Sequence, residues 1–386
     1  MLSGLQYNWK QAIFYGFLKG PVSAPNLNLI VQDLLDKVEY TGFKIRTMVC
    51  DQGSTNQRLI ADLGISTDKP YIERFERKIF FNYDAPHLIK CWRNNLMEND
   101  FIVENDQVSW ECLKELRDLE KYNPCRAVPK LTDRHLEPNN FQKMNVKLAV
   151  QVFNDSVSRA MFTGYNCGQL KHSHCQATVS FLWSMNKLFD WVNARHPKDP
   201  NPFRRGLSKK NEEVENTLRQ FIPWLDQIRV VGKPNNPPCF ENLKLTINAS
   251  LLLWEEKKKN GQPYLLTGKL NQDPLENYFA FMRHLSGCNT HPTSMKFRQN
   301  HQHGTVMSLM FPLPGANCQP DECRSLLASL TQSNKIQADK PDDTIVFEKL
   351  KNWLVNDYVD EEFSEIKEAE KCPETDISQP TLVRWQ

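Results

Sequence analysis

The sequence predicts an α/β fold: a mixed sheet with helices, interrupted by a mostly α-helical insertion. Three observations carry this reading. Short apolar runs alternate with helical patterns over roughly the first hundred residues. Two of those runs stop at an aspartate, Asp51 and Asp84. From about Val108 to Lys259 the strand patterns fade and apolar residues recur at helical spacing instead.

Taken in order, the aromatic and apolar stretch Lys10 to Phe17 suits a strand. Leu27 to Tyr40 places Leu27, Ile30, Val31, Leu34, Leu35 and Val38 on one helical face. Phe43 to Cys50 alternates as a strand, and a helix follows in GSTNQRLIADLGI with Ser54 or Thr55 as its N-cap. Lys78 to Tyr83 is the next strand, and PHLIKCWRNNLM the next helix. In the middle, NVKLAVQVFNDSVSRAMF and TVSFLWSMNKLFDWVNAR read as helices, interrupted by the Pro-rich basic loop HPKDPNPFRRGLSKKN. GKLNQDPLENYFAFMRHL contains a late helix, and the polar stretch beyond about residue 305, with its acidic run VDEEFSEIKEAEK, is expected to be loosely attached.

Bulk properties narrow the function classes. A chain of 386 residues is long enough for two compact units with a sizeable core. A formal net charge of +2 means that contact with DNA would have to come from local basic patches. The eleven scattered cysteines read as reduced thiols. No run reaches about 18 apolar residues, so no membrane span and no membrane partner is expected.

Acidic residues at three places in the chain carry the first candidate chemistry. Asp51 and Asp84 end strands, and Asp273 with Glu276 lies on the first turn of the late helix, where an i, i+3 spacing sets both carboxylates on one side. Carboxylates converging from strand ends and a helix suit Mg²⁺, a hard ion that polarises the attacking and leaving oxygens of a phosphodiester. An acidic residue at a strand end also serves as a turn former or helix N-cap, so both readings stand for each residue.

The strings MVCDQGSTNQRLIADLGI, FFNYDAPHLIKCWRNN, PKLTDRHLEPNNFQKMNVKLAVQVFNDSV, KLFDWVNAR and LTGKLNQDPLENYFAFMR occur in that order over about three-quarters of the chain. Together they resemble the successive signatures of the P-element and THAP-domain transposases. The resemblance implies an RNase H-like core split by a helical GTP-binding domain inserted before the last catalytic helix. It divides the chain into 1–106 (RNase H-like, N-terminal part), 107–264 (helical insertion), 265–304 (catalytic helix) and 305–386 (polar tail).

Carried across by residue, the resemblance implies that Asp51 is the second catalytic aspartate and Glu276 the catalytic glutamate. These two would be the metal ligands, with Asp273 beside them. Asp84 joins the catalytic set or, alternatively, orients the fold; His87 reads as a satisfied core histidine, and Lys90 and Arg93 could face phosphate. For guanine nucleotide, Phe189 would stack on the purine and Asp190 would accept from the guanine N1–H and N2–H₂ edge. Asn193 would reach sugar or phosphate, Lys130 would supply a cation for phosphate, and Ser156 a hydroxyl. The alternative is an amphipathic helix with Phe189 in the core and Asp190 in solvent. There is no Gly-rich Walker loop, so a GTP site here would not be a P-loop.

Two further motifs compete for attention. Cys167, His172, His174 and Cys175 are zinc-competent, but their spacing is tight for a finger. Arg204, Arg205, Lys209 and Lys210 could meet DNA or simply form a solvated loop.

The sequence also departs from the family pattern. It has no C-x2–4-C finger opening and no sustained heptads, it starts at what looks like the third strand of the core, and its first acidic residue, Asp33, lies on a helix. One metal carboxylate therefore has no candidate, and an incomplete RNase H-like sheet is expected. The reading is a transposon-derived, N-terminally truncated fragment, nuclear by family. It would bind guanine nucleotide and transposon-end DNA without cutting DNA alone. Two rivals remain: an active cut-and-paste transposase with an upstream exon, and a non-catalytic regulator. The chain's partners would be a second copy of itself or a full-length relative.

Overall fold

The computed structural model describes residues 1–18, 20–285, 287, 289, 291–307 and the strand residues 324–325. The described residues divide into two compact units: residues 1–45 with 273–307 and 324–325, and residues 46–272. The expected polar tail lies almost wholly outside the described residues.

In the first unit, Leu2–Ser3 pairs antiparallel with Trp9–Gln11, which pairs parallel with Arg324–Ser325. The strand expected over Lys10 to Phe17 is thus cut to three residues. Its aromatic residues serve the core instead: Tyr15 and Phe17 meet the Phe297 ring edge-on at 5.2 and 5.7 Å. That core joins Ala12 to Tyr278 and Met282 of the helix Asp273–Leu285 and to Phe297 of the helix Ser294–Met307. The helix Ala24–Tyr40 starts at Ser23, whose hydroxyl accepts from the Asn26 N–H, with Pro25 in the first turn. It buries Leu27, Val31, Leu35 and Val38, while Ile30 and Leu34 are only half-buried.

The second unit holds a three-stranded mixed sheet. Thr47–Cys50 runs parallel to Arg77–Tyr83, which pairs antiparallel with Tyr71–Arg74. The Tyr71–Arg74 strand has no counterpart in the sequence reading, because its hairpin turns on Phe75 and Glu76, both at positive φ (52° and 55°), with no glycine or asparagine to announce them. A second ribbon, Phe101–Val103 with Asp106–Val108, turns on Glu104 and Asn105 in the same way and adds Arg229–Val230 as a third strand.

The long helix Pro238–Lys259 packs on the central strand Arg77–Tyr83 through polar as well as apolar groups. Thr246 Oγ1 accepts from the Tyr83 N–H at 3.0 Å, and the Ser250 hydroxyl donates to Asn82 Oδ1 at 3.0 Å. Asn82 Nδ2 in turn donates to Thr47 Oγ1 at 2.8 Å. This chain satisfies buried polar atoms across three elements, which ties their register together.

Helices Glu111–Lys121, Val146–Val152, Asp155–Asn166, Cys175–Val192 and Glu212–Asp226 make up most of the remainder, as the helical insertion predicts. Their core centres on Trp92, stacked on Phe240 at 3.7 Å and bordered by Phe101 and Phe181. The loop after Cys175–Val192 returns through Leu207–Ser208, which pairs with Tyr264–Leu265. Gly206 makes that return possible: at φ 74° a Cβ there would lie 2.4 Å from the Leu265 carbonyl oxygen. Among the described residues no helix is long and apolar enough to cross a membrane.

Candidate nucleotide site and acidic residues

The Cys175–Val192 helix delivers Phe189 and Asp190 on its last turn and ends at Asn193 as C-cap. Asp190 is buried, at 6% exposure, contrary to the alternative that placed it in solvent. A buried carboxylate needs partners, and among the described residues Asp190 has three. Arg204 Nε donates to Oδ1 at 2.9 Å, while Asn201 Nδ2 and Asn186 Nδ2 donate to Oδ2 at 2.9 and 3.4 Å. Burial pushes its pKa up from the ordinary carboxylate value, and the Arg204 and Asn201 bonds oppose that shift.

Asn186 links this carboxylate to the start of the next element. Its Oδ1 accepts from the Asp155 N–H at 3.1 Å, at the first turn of the Asp155–Asn166 helix. Ser156 stands there too, exposed, with its hydroxyl donating to Asn154 Oδ1 at 3.1 Å. The structure therefore gathers Asp190 and the Ser156 turn through a residue that sequence reasoning had passed over. Asn193 Oδ1 accepts from Arg195 Nε and Nη2 at 3.2 and 3.1 Å and from Asn271 Nδ2 at 3.4 Å. The segment Thr267–Lys269 closes on this helix end, with the Gly268 N–H donating to the Ala194 carbonyl at 2.9 Å. Phe189 is half-buried, neither a core residue nor fully in solvent. Lys130 is exposed, and among the described residues no hydrogen bond or ion pair joins it to this group.

The acidic residues fall in both units. Asp51 follows the strand Thr47–Cys50 and forms a turn: its Oδ1 accepts from the Gly53 N–H at 2.9 Å and from Asn56 Nδ2 at 2.7 Å. Gly53 is the N-cap of Ser54–Asp62, in place of the expected Ser54 or Thr55, and no side chain caps this helix. Burial, then the charges of Asp51 and Asp84, raises the Cys50 thiol pKa. Asp84 is buried at 3% exposure and caps the Ala85–Glu98 helix, accepting from the His87 N–H at 3.1 Å. Its other oxygen accepts from the Gln272 N–H at 2.7 Å, and His87 Nδ1 lies 2.8 Å from Oδ2. Asp273, buried, and Glu276, half-buried, both belong to the first turn of Asp273–Leu285 in the first unit.

Three secondary expectations change. Arg93 does not face outward: it is fully buried and donates from Nη2 to the Lys143 carbonyl at 3.0 Å, and Lys90 beside it is 8% exposed. The candidate zinc string comes apart: Cys167 is exposed, while His172 Nδ1 lies 3.4 Å from Cys112 Sγ and the Cys175 thiol points at Glu115. Among the described residues no set of three or more His, Cys, Asp and Glu side chains is arranged to hold a metal. Of the basic loop, Arg204 is spent on Asp190 and Arg205 on the Asp199 and Pro200 carbonyls, whereas Lys209 and Lys210 are exposed.

Comparison with known proteins matches this layout. Three models of one family fit in order: the TNP-like RNase H N-terminal domain at 1–64, the TNP-like GTP-binding insertion domain at 86–205, and the TNP-like RNase H C-terminal domain at 269–300. The chain belongs to the P-element-type transposase family.

Among its relatives, the Transposable element P transposase of Drosophila melanogaster is 27% identical over 308 residues, covering 77% of this chain and 39% of the relative. The human DNA transposase THAP9 is 26% identical over 331 residues, covering 78% and 35%. The chain thus spans well under half the length of these two P-element-type transposases. The solved Drosophila P element transposase strand transfer complex superposes with a TM-score of 0.68 at 26% identity, over 78% of this chain and 67% of that one. The fold is accordingly RNase H-like α/β with a helical insertion. Asp51 falls inside the first family match, Lys130, Ser156, Phe189, Asp190, Asn193 and Arg204 inside the second, and Asp273 and Glu276 inside the third; Asp84 lies between matches.

Proposed function

We propose that this chain is the guanine-nucleotide-binding and catalytic-helix portion of a P-element-type transposase, acting on transposon-end DNA in the nucleus. The observation that carries the nucleotide half is the buried Asp190 carboxylate at the end of a helix inside the GTP-binding family match. A carboxylate offers acceptors only. It therefore suits the N1–H and N2–H₂ edge of guanine and rejects adenine, which has no such donor pair. Phe189 stacks on the base, Asn193 meets sugar or phosphate, and Ser156 and Lys130 serve the phosphates.

For the metal, the candidates are oxygen donors only, the chemistry Mg²⁺ prefers. Asp51 suits this role because both donors on its carboxylate meet Oδ1, so Oδ2 is the oxygen left to a cation among the described residues. Glu276 is the second proposed ligand, with Asp273 on the same turn. Bound Mg²⁺ would supply polarisation of a phosphodiester. Asp84 is better read as the residue that positions the Ala85–Glu98 helix, since both its oxygens already accept backbone N–H groups. The division 1–106, 107–264 and 265–304 remains our proposed domain layout.

Titrating the purified chain with a fluorescent guanine nucleotide tests the reading. GTP should displace the probe, ATP should not, and Asp190→Ala should weaken binding by about tenfold or more, as expected for a lost charged hydrogen-bond pair. Equal competition by ATP, or unchanged binding by Asp190→Ala, would overturn it.

A further inference from the structure

We propose that Asn56 is a positioning residue for the cation assigned to Asp51: by filling one oxygen of the carboxylate it makes Asp51 a single-oxygen ligand, which favours Mg²⁺ over Ca²⁺. The inference rests on the reading of Asp51 as a metal ligand.

An ionised carboxylate offers about four acceptor positions, two on each oxygen. On Asp51, Oδ1 accepts the Gly53 N–H at 2.9 Å and Asn56 Nδ2 at 2.7 Å, which fills it. The Gly53 bond follows from the local path of the turn, two residues on. Asn56 is a separate device. It stands on the first turn of the helix Ser54–Asp62, is 4% exposed, and reaches back five residues to the carboxylate.

A helix start needs acceptors for its own free N–H groups. The Asn56 amide nitrogen is a donor and cannot meet that need. It donates to the Asp51 carboxylate and, at 3.4 Å, to the Asp51 carbonyl. Beside it, Gln57 Nε2 donates to the Gln52 carbonyl at 2.7 Å. The first helical turn thus holds both the backbone and the carboxylate of the segment that follows the strand Thr47–Cys50.

A carboxylate free to swivel presents either oxygen, or both together. With Oδ1 filled, Asp51 keeps one orientation and offers Oδ2. Mg²⁺ demands near-octahedral oxygen ligands at about 2.0–2.1 Å, so one fixed oxygen suits it. Ca²⁺ takes about six to eight oxygens and readily uses both oxygens of one carboxylate. Filling Oδ1 therefore withholds an oxygen from Ca²⁺ and takes nothing from Mg²⁺. Hydrogen bonds to a ligating carboxylate tune metal affinity in this indirect way.

Calorimetric titration of the purified chain with MgCl₂ and, separately, with CaCl₂ reads both affinities. Asn56→Ala should weaken Mg²⁺ binding by about tenfold, the scale on which such supporting hydrogen bonds act. Its Ca²⁺ binding should stay within about twofold of the unaltered chain, because the freed Oδ1 offsets the lost ordering. The preference for Mg²⁺ therefore falls, which a merely structural Asn56 would not produce. Thermal melting with chelator present checks folding. Asn56→Ser keeps a donor on a shorter arm; it should fall between the other two, and its Mg²⁺ preference is the one read should the alanine variant melt early. Equal weakening of both ions, or no change in either, overturns the positioning while leaving Asp51 as a ligand. If Asp51→Asn binds Mg²⁺ as tightly as the unaltered chain, the metal reading of Asp51 falls, and the positioning with it.

Discussion

Asp84→Ala should destabilise the 46–272 unit by about 3–5 kcal/mol, read as a drop in the denaturant midpoint at constant slope. The carboxylate is buried at 3% exposure and does two jobs. It caps the Ala85–Glu98 helix through the His87 N–H, a contact of a kind whose loss costs about 0.5–2 kcal/mol. It takes the Gln272 N–H at 2.7 Å, a charge-assisted bond of the kind that contributes about 1.5–3 kcal/mol. Alanine leaves the buried Gln272 N–H and the part-buried His87 N–H without their acceptor, so the losses run to the upper part of each range. Asp84→Asn keeps an oxygen for the cap but replaces the other acceptor with a donor facing the Gln272 N–H. It should fall between the native chain and the alanine variant.

The same experiment separates two roles for this residue. A carboxylate held for a metal sits among other negative groups, and removing it from a metal-free chain relieves repulsion, so stability holds or rises. A structural cap does the reverse. A change of less than about 1 kcal/mol on Asp84→Ala would therefore return Asp84 to the catalytic set and undo its reading as a cap.

How far the sequence could carry this site is visible in single residues. Asp51 and Asp84 were legible because a strand pattern runs into each of them, alternating in Phe43–Cys50 and a short apolar run in Lys78–Tyr83. The Cys175–Val192 helix was legible by its spacing, and Asp190 by the string FDWVN. What the sequence could not show is the environment of that carboxylate. Asn186 is one helical turn before Asp190, but Asn201 and Arg204 approach from a loop whose path depends on Gly206 and on the short pairing of Leu207–Ser208 with Tyr264–Leu265.

Arg204 looked like one more charge in a basic loop, since charge alone does not reveal which acceptor it will meet. Arg93 misled for a related reason. An arginine on a helix suggests an outward phosphate contact, yet its neighbour in space is the Lys143 carbonyl, 50 residues away. The hairpins at Phe75–Glu76 and Glu104–Asn105 escaped notice because three of those four residues are poor αL formers, so tertiary pairing and not turn chemistry holds them.

In the first unit, lowering the pH from 7 to 5 should remove about 2 kcal/mol of stability through one residue, His301. Its ring is 7% exposed, stacked on Phe297 with 2° between the planes and flanked by Tyr15 and Tyr278. The Tyr278 hydroxyl lies 2.5 Å from His301 Nδ1, so a neutral imidazole accepting that proton satisfies both. Burial lowers the folded-state pKa to about 4 from an ordinary 6.5. Between those two values the unfolded chain binds the proton and the folded chain does not, so folding is penalised as pH falls. The effect is absent at pH 7, grows through pH 6 and levels off below about 4.

Carboxylates begin to titrate near the lower end of that window, so pH 5 is the place to look. His301→Gln removes the titrating group while keeping an acceptor for Tyr278. Urea unfolding of the native chain and the glutamine variant at pH 7 and pH 5 should show the acid loss shrinking by about 2 kcal/mol in the variant. Equal losses in both would mean that His301 takes up its proton inside the fold. The Tyr278 contact would then have to reverse, with the imidazolium donating to the hydroxyl. Because Tyr278 lies two residues after Glu276, that reversal would be felt on the helix that carries the proposed metal ligand.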